Sequence, residues 1–511
     1  MRKIFTVLVA ILLSLFYYSC NKDVSSNPIG NQPPYTGLFL YPDSTISKQP
    51  SKIHLHWWGD DPDGFVEGYY FSWDGKNWTF TTSNDSLFAL KIGAKDTAYT
   101  FSVAAVDNEG NGVYDNDIYQ NGIHFGPEPF VDLNNNGKWD SGEPFTDIGL
   151  IDPSPATQKF PIKNSPPTIQ WNSLSLVSKS TFTSFPAMTF GWDASDIDGD
   201  ETIQQINIAL NDTTDPSHFV ILDGSVRNVA IRTTDFTNSS PMMDVLIEGS
   251  ESNIASQKLP GLKFNDYNKF YVQAEDISGA KSKFISWPDS TQKWYVKKPS
   301  GKLLIVRDYS LQDNSASFYE SEFDSLGLAG KYDEYDLVQN PYPYPNITFL
   351  QTMKLFKYIF WYTDNNPSLD LASALTQNYL DAGGKIAFSM QFPQSFDVSQ
   401  LQNFLPIIPD STGFSLRVLG NVDVVSDTTS PQYPDLKTTS TAFRVRSFYL
   451  TQLGALPIYY YKNGDLPGYT GFMDEQKDVF FISLPLHIMD GNGTVKTLLD
   501  KVFIQDFGLT L

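Results

Sequence analysis

The stretch WWGDDPDG at residues 57–64 returns as WDASDIDG at residues 192–199, with Trp, two Asp and Gly at the same spacing. A second pair follows, FSVAAVDNEG at 101–110 and FYVQAEDISG at 270–279, in which Phe, Val, Ala, Asp and Gly match. Apolar alternation bounded by Asp, Gly and Pro is typical of β-strands and turns. The repeated pattern therefore predicts two homologous β modules.

These elements resemble the fibronectin type III and immunoglobulin-like sandwiches of bacterial surface proteins. In those domains a core tryptophan lies on an early strand, an acidic turn follows, and a late strand carries Y/F-x-V-x-A-x-D-x-x-G. The resemblance implies two all-β sandwiches, at 35–164 and 165–299, with Trp57 and Trp192 in the cores. Sugar stacking is the alternative role for these tryptophans. The Asp-x-Asp-Gly turns either hold a cation between domains or bond their own backbone.

The charge of the chain limits its partners. It has 36 basic and 58 acidic residues, a net charge of −22. Such a balance argues against binding to nucleic acid or adsorption to an anionic membrane. Two explanations stay open, namely a solvated acidic surface and carboxylates that bind cations.

The first twenty residues, MRKIFTVLVAILLSLFYYSC, predict a secretory signal. Two basic residues precede an apolar run at 4–18 that is too short for a membrane span. The end of the segment resembles the bacterial lipobox, although Tyr17 stands where that family usually has Leu. The resemblance implies a lipoprotein of the cell envelope, most consistent with the outer membrane on its periplasmic or surface face. Its anchor would be a diacylglycerol and an amide-linked acyl chain such as palmitate on Cys20.

An ordinary cleaved signal peptide is the alternative at this end. Cys20 is the only cysteine, so the sequence predicts no disulfide within the chain. Residues 21–34 are polar and contain Pro, Gly and Ser, which predicts a flexible tether.

An insertion in the first module, at about 111–150, contains DLNNNGKWDSGE. Its oxygen-bearing residues have the spacing of an EF-hand calcium loop, with Gly137 at the sixth position. Ca²⁺ prefers six to eight oxygen ligands, and alternate side chains of a tightly wound loop converge on one point. The predicted ligands, with Lys138 acting through its backbone carbonyl, are Asp132, Asn134, Asn136, Lys138, Asp140 and Glu143.

Helices are not predicted on either side of this loop, because Gly and Pro precede it. It therefore resembles the isolated EF-hand-like or dockerin-type loops of extracellular proteins, which implies a structural Ca²⁺ in an insertion with little core. The alternative is an Asn/Gly-rich turn without metal. The motif Glu-Pro-Phe-x-Asp also occurs twice, at 128–132 and 143–147. A run from Asp107 to Asp117 resembles the start of a second loop but lacks a closing Glu.

The pattern changes at residue 300, where buried strands alternate with amphipathic helices. This alternation predicts an α/β three-layer domain at 300–511, with a β-rich insertion at about 411–478 that decorates its sheet. The domain resembles the flavodoxin-like core of class I glutamine amidotransferase-like proteins. The catalytic cysteine of that family follows a strand at a tight turn, whereas here Met390 and Gln391 follow KIAFS. The resemblance therefore implies a non-catalytic relative.

Ligands of open α/β sheets bind beyond the carboxyl ends of the strands. Solvated strand ends are the alternative to a pocket at that edge. The residues that the sequence places there are Arg307, Asp308, Asp364, Gln391 and His487.

We predict an envelope-anchored binding or scaffolding lipoprotein that is calcium-stabilised, has no catalytic residues, and has an extracytoplasmic protein or a glycan as its partner. One alternative is a hydrolase or transferase that acts on envelope polymers through the strand-end residues. Another is carbohydrate binding by the sandwiches, for which the candidate aromatic residues are Tyr69, Tyr70 and Trp78.

Overall fold

The computed structural model describes residues 30–40, 52–90, 97–162, 164–451, 454–462 and 466–510. The predicted signal peptide, its Cys20 and most of the tether lie outside the described residues. No helix in the described part of the chain has the length and apolarity needed to cross a membrane. The chain divides into two compact units, Met1–Ser165 and Pro166–Leu511.

The described residues of the first unit form nine strands in three sheets. Two of the sheets, with orders β1-β2-β5 and β4-β3-β6-β9, form a sandwich, and β7-β8 is a separate hairpin. The strands are β1 (Tyr35–Leu40), β2 (Lys52–Asp60), β3 (Val66–Ser72), β4 (Thr79–Thr81), β5 (Asp85–Ala89), β6 (Thr97–Asp107), β7 (Ile118–Gln120), β8 (Ile123–Gly126) and β9 (Ala156–Ile162).

The core of this sandwich is aromatic. Trp57 on β2 is fully buried, and its ring centroid lies 5.7 Å from that of Phe101 on β6. Tyr69, Phe71 and Phe88 surround the same indole. Because side chains alternate along a strand, Trp58 points to the opposite, exposed face. The predicted core position of Trp57 is confirmed.

The second unit begins with another sandwich. Its sheets have the orders β10-β12-β15-β16, β14-β13-β18-β19 and β11-β20-β17. The strands are β10 (Thr168–Trp171), β11 (Thr181–Ser184), β12 (Ala187–Ser195), β13 (Ile203–Leu210), β14 (Val220–Asp223), β15 (Asn228–Arg232), β16 (Asp244–Ile247), β17 (Asp266–Asn268), β18 (Phe270–Asp276), β19 (Ile285–Trp287) and β20 (Lys293–Val296).

Trp192 occupies the position in this sandwich that Trp57 has in the first. It is fully buried, and its indole N–H donates to the carbonyl of Val226 at 3.1 Å. Phe190 and Phe270 stack beside it with parallel rings whose centroids are 4.0 Å apart. The chain is thus mostly β-sheet, with a sandwich at each of the two repeats found in the sequence.

The described residues in the rest of the second unit form eleven strands. Nine of them form one sheet with the order β22-β21-β23-β24-β31-β30-β29-β26-β27, and β25 and β28 pair separately. The first five strands in this order are parallel, and the others are antiparallel. The strands are β21 (Leu303–Asp308), β22 (Tyr332–Asp336), β23 (Tyr358–Thr363), β24 (Lys385–Ser389), β25 (Ile407–Val418), β26 (Asp423–Ser426), β27 (Leu436–Lys437), β28 (Ala442–Leu450), β29 (Ala455–Tyr461), β30 (Gly471–Asp474) and β31 (Val479–Ile482).

Four α-helices accompany this sheet in the described residues. Apolar residues of each helix pack toward the strands, and Phe323, for example, is fully buried against Phe360 of β23. A π-helical turn continues the last helix over Asp500–Asp506. The helices are α1 (Ser315–Phe323), α2 (Pro345–Met353), α3 (Leu369–Asp381) and α4 (Val495–Leu499).

The β-rich segment at 411–478 does more than the predicted decoration. Strands β26, β27, β29 and β30 extend the parallel sheet by antiparallel pairing, and only β25 and β28 form a separate two-stranded sheet. Antiparallel strands can be added through short connections, whereas parallel strands need crossovers. The local strand signals predicted these elements but not which sheet they join.

The second sandwich and the nine-stranded sheet share one hydrophobic core. Phe185, just before β12, lies with its ring centroid 5.0 Å from that of Phe356 and 6.2 Å from that of Tyr335 on β22. The sequence predicts a domain boundary near residue 300. In the structure β20 ends at Val296 and β21 begins at Leu303, with the core continuous across that junction.

Candidate functional site

The loop at 132–143 is wound by turns in which side chains accept hydrogen bonds from the backbone ahead of them. The Asp132 carboxylate accepts from the N–H of Gly137 at 2.7 Å, and Asn134 accepts from Asn136 at 3.1 Å. Asn136 accepts in turn from the N–H of Lys138 at 2.7 Å. Gly137 adopts a φ of 76°, which favours glycine and makes the tight turn feasible. The backbone N–H groups that bond the Asp132 carboxylate, that of Gly137 most of all, lower its pKa.

The predicted ligand side chains converge within this loop. Both Asn134 and Asn136 donate their side-chain amides to Asp140 Oδ2, each at 2.7 Å. Glu143 closes the loop from the other side, because its carboxylate accepts from the N–H of Leu133 and of Asp140 at 2.9 and 3.0 Å.

The donor chemistry of this loop suits a hard cation. Rotating the two amides of Asn134 and Asn136 would present oxygen instead of nitrogen to the centre. It would also break the hydrogen bonds that these oxygens accept from the backbone, which cation ligation would have to offset. Three carboxylates and a backbone carbonyl would complete an all-oxygen set of the kind that Ca²⁺ takes. In the described part of the chain, however, no three His, Cys, Asp or Glu side chains are already arranged as a metal site. The residue types of the loop and the convergence of their side chains therefore fit Ca²⁺. The amide nitrogens of Asn134 and Asn136, rather than their oxygens, face Asp140.

The insertion has a core of its own, contrary to the expectation of little core. Tyr114 stacks on Trp139 with centroids 4.4 Å apart, and the rings of Phe130 and Phe145 meet Tyr114 edge-on. A second cluster of buried residues joins the insertion to the outer side of β3 and β6. In the sequence, this core was indicated by the two Phe residues of the Glu-Pro-Phe-x-Asp motifs, Phe130 and Phe145.

Glu128 closes the turn that begins the insertion. Its buried carboxylate accepts from the N–H of Asp115 and of Ile148, both at 2.8 Å. Burial raises its pKa. The run from Asp107 to Asp117, which lacks a closing Glu in its own sequence, is thus closed by a Glu from further along the chain.

The acidic turns of the sandwiches bond their own backbone. Asp196 accepts from the N–H of Asp198 at 2.9 Å, and Asp276 accepts from the N–H groups of Ser278 and Ala280. Burial raises the pKa of Asp196. This is the turn-capping role that the sequence offered as one of two alternatives.

Asp308 and Asp364 lie at the carboxyl ends of β21 and β23 and are both buried. Asp308 caps helix α3, accepting from the N–H of Ser368 at 2.7 Å and from its hydroxyl at 3.0 Å. Asp364 accepts from the N–H of Ser310 at 2.8 Å and of Asn366 at 2.8 Å. Burial raises the pKa of Asp308. These two carboxylates hold loops and a helix in place.

The other three strand-end candidates do not join them in one pocket. Arg307 forms an ion pair with Asp336 of β22, with Nε 3.5 Å from Oδ2. Gln391 donates its N–H to the hydroxyl of Thr363 at 3.0 Å. His487 is buried with Nε2 3.5 Å from Asp313, and burial lowers its pKa.

A cavity of about 640 Å³ does lie at this edge of the sheet. It is bounded by the first turns of α2 and α3 and by the segment that follows β24. None of the five predicted residues lines it, although Ser368, which bonds Asp308, does. The cavity thus lies at the edge that the rule about strand ends indicates, but its walls are formed by side chains from the helix starts, which have no sequence motif.

The aromatic residues predicted to bind carbohydrate are mostly in cores. Tyr69 and Tyr70 are buried, and Trp78 packs on Phe125 with centroids 5.1 Å apart. Three exposed aromatic side chains of the first sandwich lie instead on the outer face of the β1-β2-β5 sheet. Tyr35 and Phe39 are 59% and 53% exposed, and Trp58 lies over Gly37 and edge-on to Tyr35.

Solved structures that resemble parts of the chain include the following three. Fibronectin(III)-like modules of CbhA from Clostridium thermocellum align with 51% of this chain and 95% of theirs, at 12% identity and a TM-score of 0.16. A two-domain fibronectin type III segment of chicken tenascin covers 50% of this chain and 97% of its own, at 13% identity and a TM-score of 0.19. A 2,6-sialyltransferase from Photobacterium, in a complex with CMP and lactose, covers 41% and 40%, at 10% identity and a TM-score of 0.13.

No protein-family model matches the sequence, and no curated protein matches it. The structural neighbours named above are fibronectin type III modules and part of a glycosyltransferase. At these TM-scores the assignment of the β-sandwiches rests on the strand pairing and the cores described above. The class of protein so defined is a mostly β, sandwich-containing one.

Proposed function

We propose that this protein is a lipid-anchored binding or scaffolding protein of the bacterial envelope and that it has no catalytic activity. The observation that carries the proposal is the structural use of the strand-end carboxylates. Asp308 caps α3 and Asp364 holds the loop after β21, so each is engaged where a reacting group would have to be free. What the last domain then offers to a partner is a surface and a cavity.

The continuous core of the second unit supports a scaffolding role. A sandwich that shares its core with the next domain is held at a fixed angle, whereas domains joined by small polar interfaces move. The parallel strands follow the order β22-β21-β23-β24-β31, which corresponds to 2-1-3-4-5 along the chain. That order is the flavodoxin-like one, and we therefore interpret the last domain as a flavodoxin-like α/β domain extended by antiparallel strands.

The anchor is tested by changing Cys20 to Ser in the full chain and separating membranes from the soluble extracytoplasmic fraction. We expect the wild-type protein in the membrane fraction, where it incorporates labelled palmitate, and the variant in the soluble fraction without label. Membrane retention and labelling of the Ser variant would contradict lipidation at Cys20. Crosslinking in intact envelopes, followed by recovery of the wild-type chain, should then yield a protein or glycan partner.

The exposed aromatic face of the first sandwich favours carbohydrate binding as a second candidate function. Aromatic side chains with one open face bind sugars by stacking, and Tyr35, Phe39 and Trp58 share one face of neighbouring strands. Sedimentation with insoluble cellulose, chitin and peptidoglycan tests this function. Trp58→Ala should reduce the bound fraction of any polymer that is retained. Tyr119→Ala, which removes an exposed ring elsewhere in the unit, should leave it unchanged.

A further inference from the structure

The cavity at the carboxyl edge of the parallel strands has the size of a ligand site. Its volume of about 640 Å³ falls within the range of roughly 300–1,000 Å³ that is usual for small-molecule pockets. Every lining segment follows the carboxyl end of a parallel strand: Leu337 follows β22, Pro367 and Ser368 follow β23, and Phe396 follows β24. This is the place where open α/β sheets bind ligands.

The charges at the cavity argue against an anionic ligand. Two lining residues, Asp370 and Asp397, are acidic, and none of the lining residues is basic. Arg446 lies near this wall with its guanidinium 4.7 Å from the ring centroid of Phe396, but it does not line the cavity and donates to the carbonyl of Gln394. A phosphate or carboxylate would therefore meet like charge without a cation beside it.

The two helix starts do not supply the positive end that would attract an anion. The N–H of Ser368, just before α3, donates to the carboxylate of Asp308, and Asp370 adds a negative charge in the first turn. Helix α2 begins with Pro345, which has no N–H to offer. The N–H groups of Ile347 and Thr348 bond the carbonyl of Tyr344, so these helix starts offer an anion fewer free donors than usual.

Each of the two carboxylates keeps acceptor capacity toward the cavity. Asp370 Oδ1 accepts from the side-chain amide of Gln400 at 2.8 Å, and Asp397 Oδ1 accepts from Ser399 at 3.0 Å. In the described residues the second oxygen of each carboxylate accepts no protein hydrogen bond. Beside these polar groups the wall is apolar, formed by Leu337, Pro345, Phe349, Pro367, Leu371 and Phe396.

We propose that this cavity binds an organic ammonium group, that is, a protonated amine attached to an apolar body. The amine would donate charge-assisted hydrogen bonds to Asp370 and Asp397, while the apolar body covers the Pro and Leu side chains. The inference rests on the binding role proposed above, because it names the chemistry of what the last domain binds. It depends neither on the anchor at Cys20 nor on calcium.

The test compares three probes of nearly equal shape on the full chain: benzylamine, benzyl alcohol and benzoate. Saturation-transfer NMR and titration should show binding of benzylamine, about tenfold weaker binding of benzyl alcohol, and no binding of benzoate. Raising the salt concentration should weaken the binding of benzylamine alone. This comparison uses the unaltered protein, so it does not depend on the folding of any variant.

Variants locate the site. Asp370→Asn combined with Asp397→Asn should weaken benzylamine binding at least about tenfold, whereas Asp381→Asn, at the far end of α3, should leave it unchanged. Benzoate binding as tight as that of benzylamine, or undiminished benzylamine binding by the double variant, would overturn the proposal. Either result would leave membrane retention through Cys20 and partner capture unaffected, so the two proposals fail separately.

Discussion

Phe130 and Phe145 pair as an antiparallel bridge, which lays the two Glu-Pro-Phe-x-Asp motifs side by side. The glutamate of each motif, Glu128 or Glu143, accepts two backbone N–H groups and closes one turn. The two copies of the motif therefore have the same structural role. Its aromatic residues build the core of the insertion, and its carboxylates fix the ends of the turns.

Removing one ring of this pair should loosen the insertion. Phe145→Ala deletes a half-buried ring, so we expect a loss of about 2 kcal/mol in the free energy of opening the insertion, roughly half the cost at a fully buried site. Limited proteolysis with mass spectrometry should show faster cleavage between residues 111 and 150. Tyr119→Ala removes an exposed ring from the same insertion and is the control. Equal cleavage rates in the two variants would contradict a structural role for the bridge.

Calcium should stabilise the same segment through Glu143. We expect Ca²⁺ to slow proteolysis within residues 111–150 with a midpoint at roughly 10⁻⁴ to 10⁻³ M, and a chelator to reverse the effect. Glu143→Gln should abolish this response, because it removes the charge of the residue that would bind the cation through both oxygens. Glu67→Gln, at an exposed position of the same unit and outside both acidic loops, should keep the response. A calcium response that survives Glu143→Gln would show that the cation binds elsewhere.

The parts of the fold that follow from local pattern could be predicted from the sequence. Alternation along β2 and β12 places Trp57 and Trp192 in sandwich cores, and the structure confirms both. The strand KIAFS before Met390 likewise follows from a short apolar run that depends only on neighbours in sequence.

The parts that depend on distant residues could not be predicted in this way. Alternation alone does not say which face of β3 is covered by an insertion, so Tyr70 seemed available for sugars although Phe125 packs against it at 5.0 Å. Nothing in the sequence near Asp308 shows that its partner is Ser368, sixty residues later. The five strand-end candidates do not line the cavity for the same reason, because its walls are helix starts that the fold brings together.

Trp57 and Trp192, which occupy equivalent positions in the two sandwiches, differ in one hydrogen bond. This difference predicts that replacing them will have different costs. Trp192 donates its indole N–H to Val226, whereas that of Trp57 donates to no group in the described residues. Trp192→Phe removes one of two hydrogen bonds to the Val226 carbonyl, which keeps the one from the Arg227 guanidinium at 3.1 Å. The substitution should therefore cost about 1 kcal/mol more than Trp57→Phe, each measured as the loss in unfolding free energy of its own unit. Equal losses would show that the hydrogen bond contributes nothing net.

Asp308 should make the stability of the second unit depend on pH. Burial raises its pKa in the folded state above the unfolded value, so the folded chain binds more protons in the interval between them. The stability of the wild type relative to Asp308→Asn should therefore fall as the pH rises through that interval and then stay constant. Asp308→Ala loses the cap altogether and should cost about 0.5–2 kcal/mol more than Asp308→Asn at pH 7. Urea unfolding between pH 4 and 8 measures both effects, with Asp381→Asn at the exposed end of α3 as the control. A wild type that gains stability over Asp308→Asn with rising pH would mean that the capping hydrogen bonds from Ser368 outweigh the cost of burying the charge.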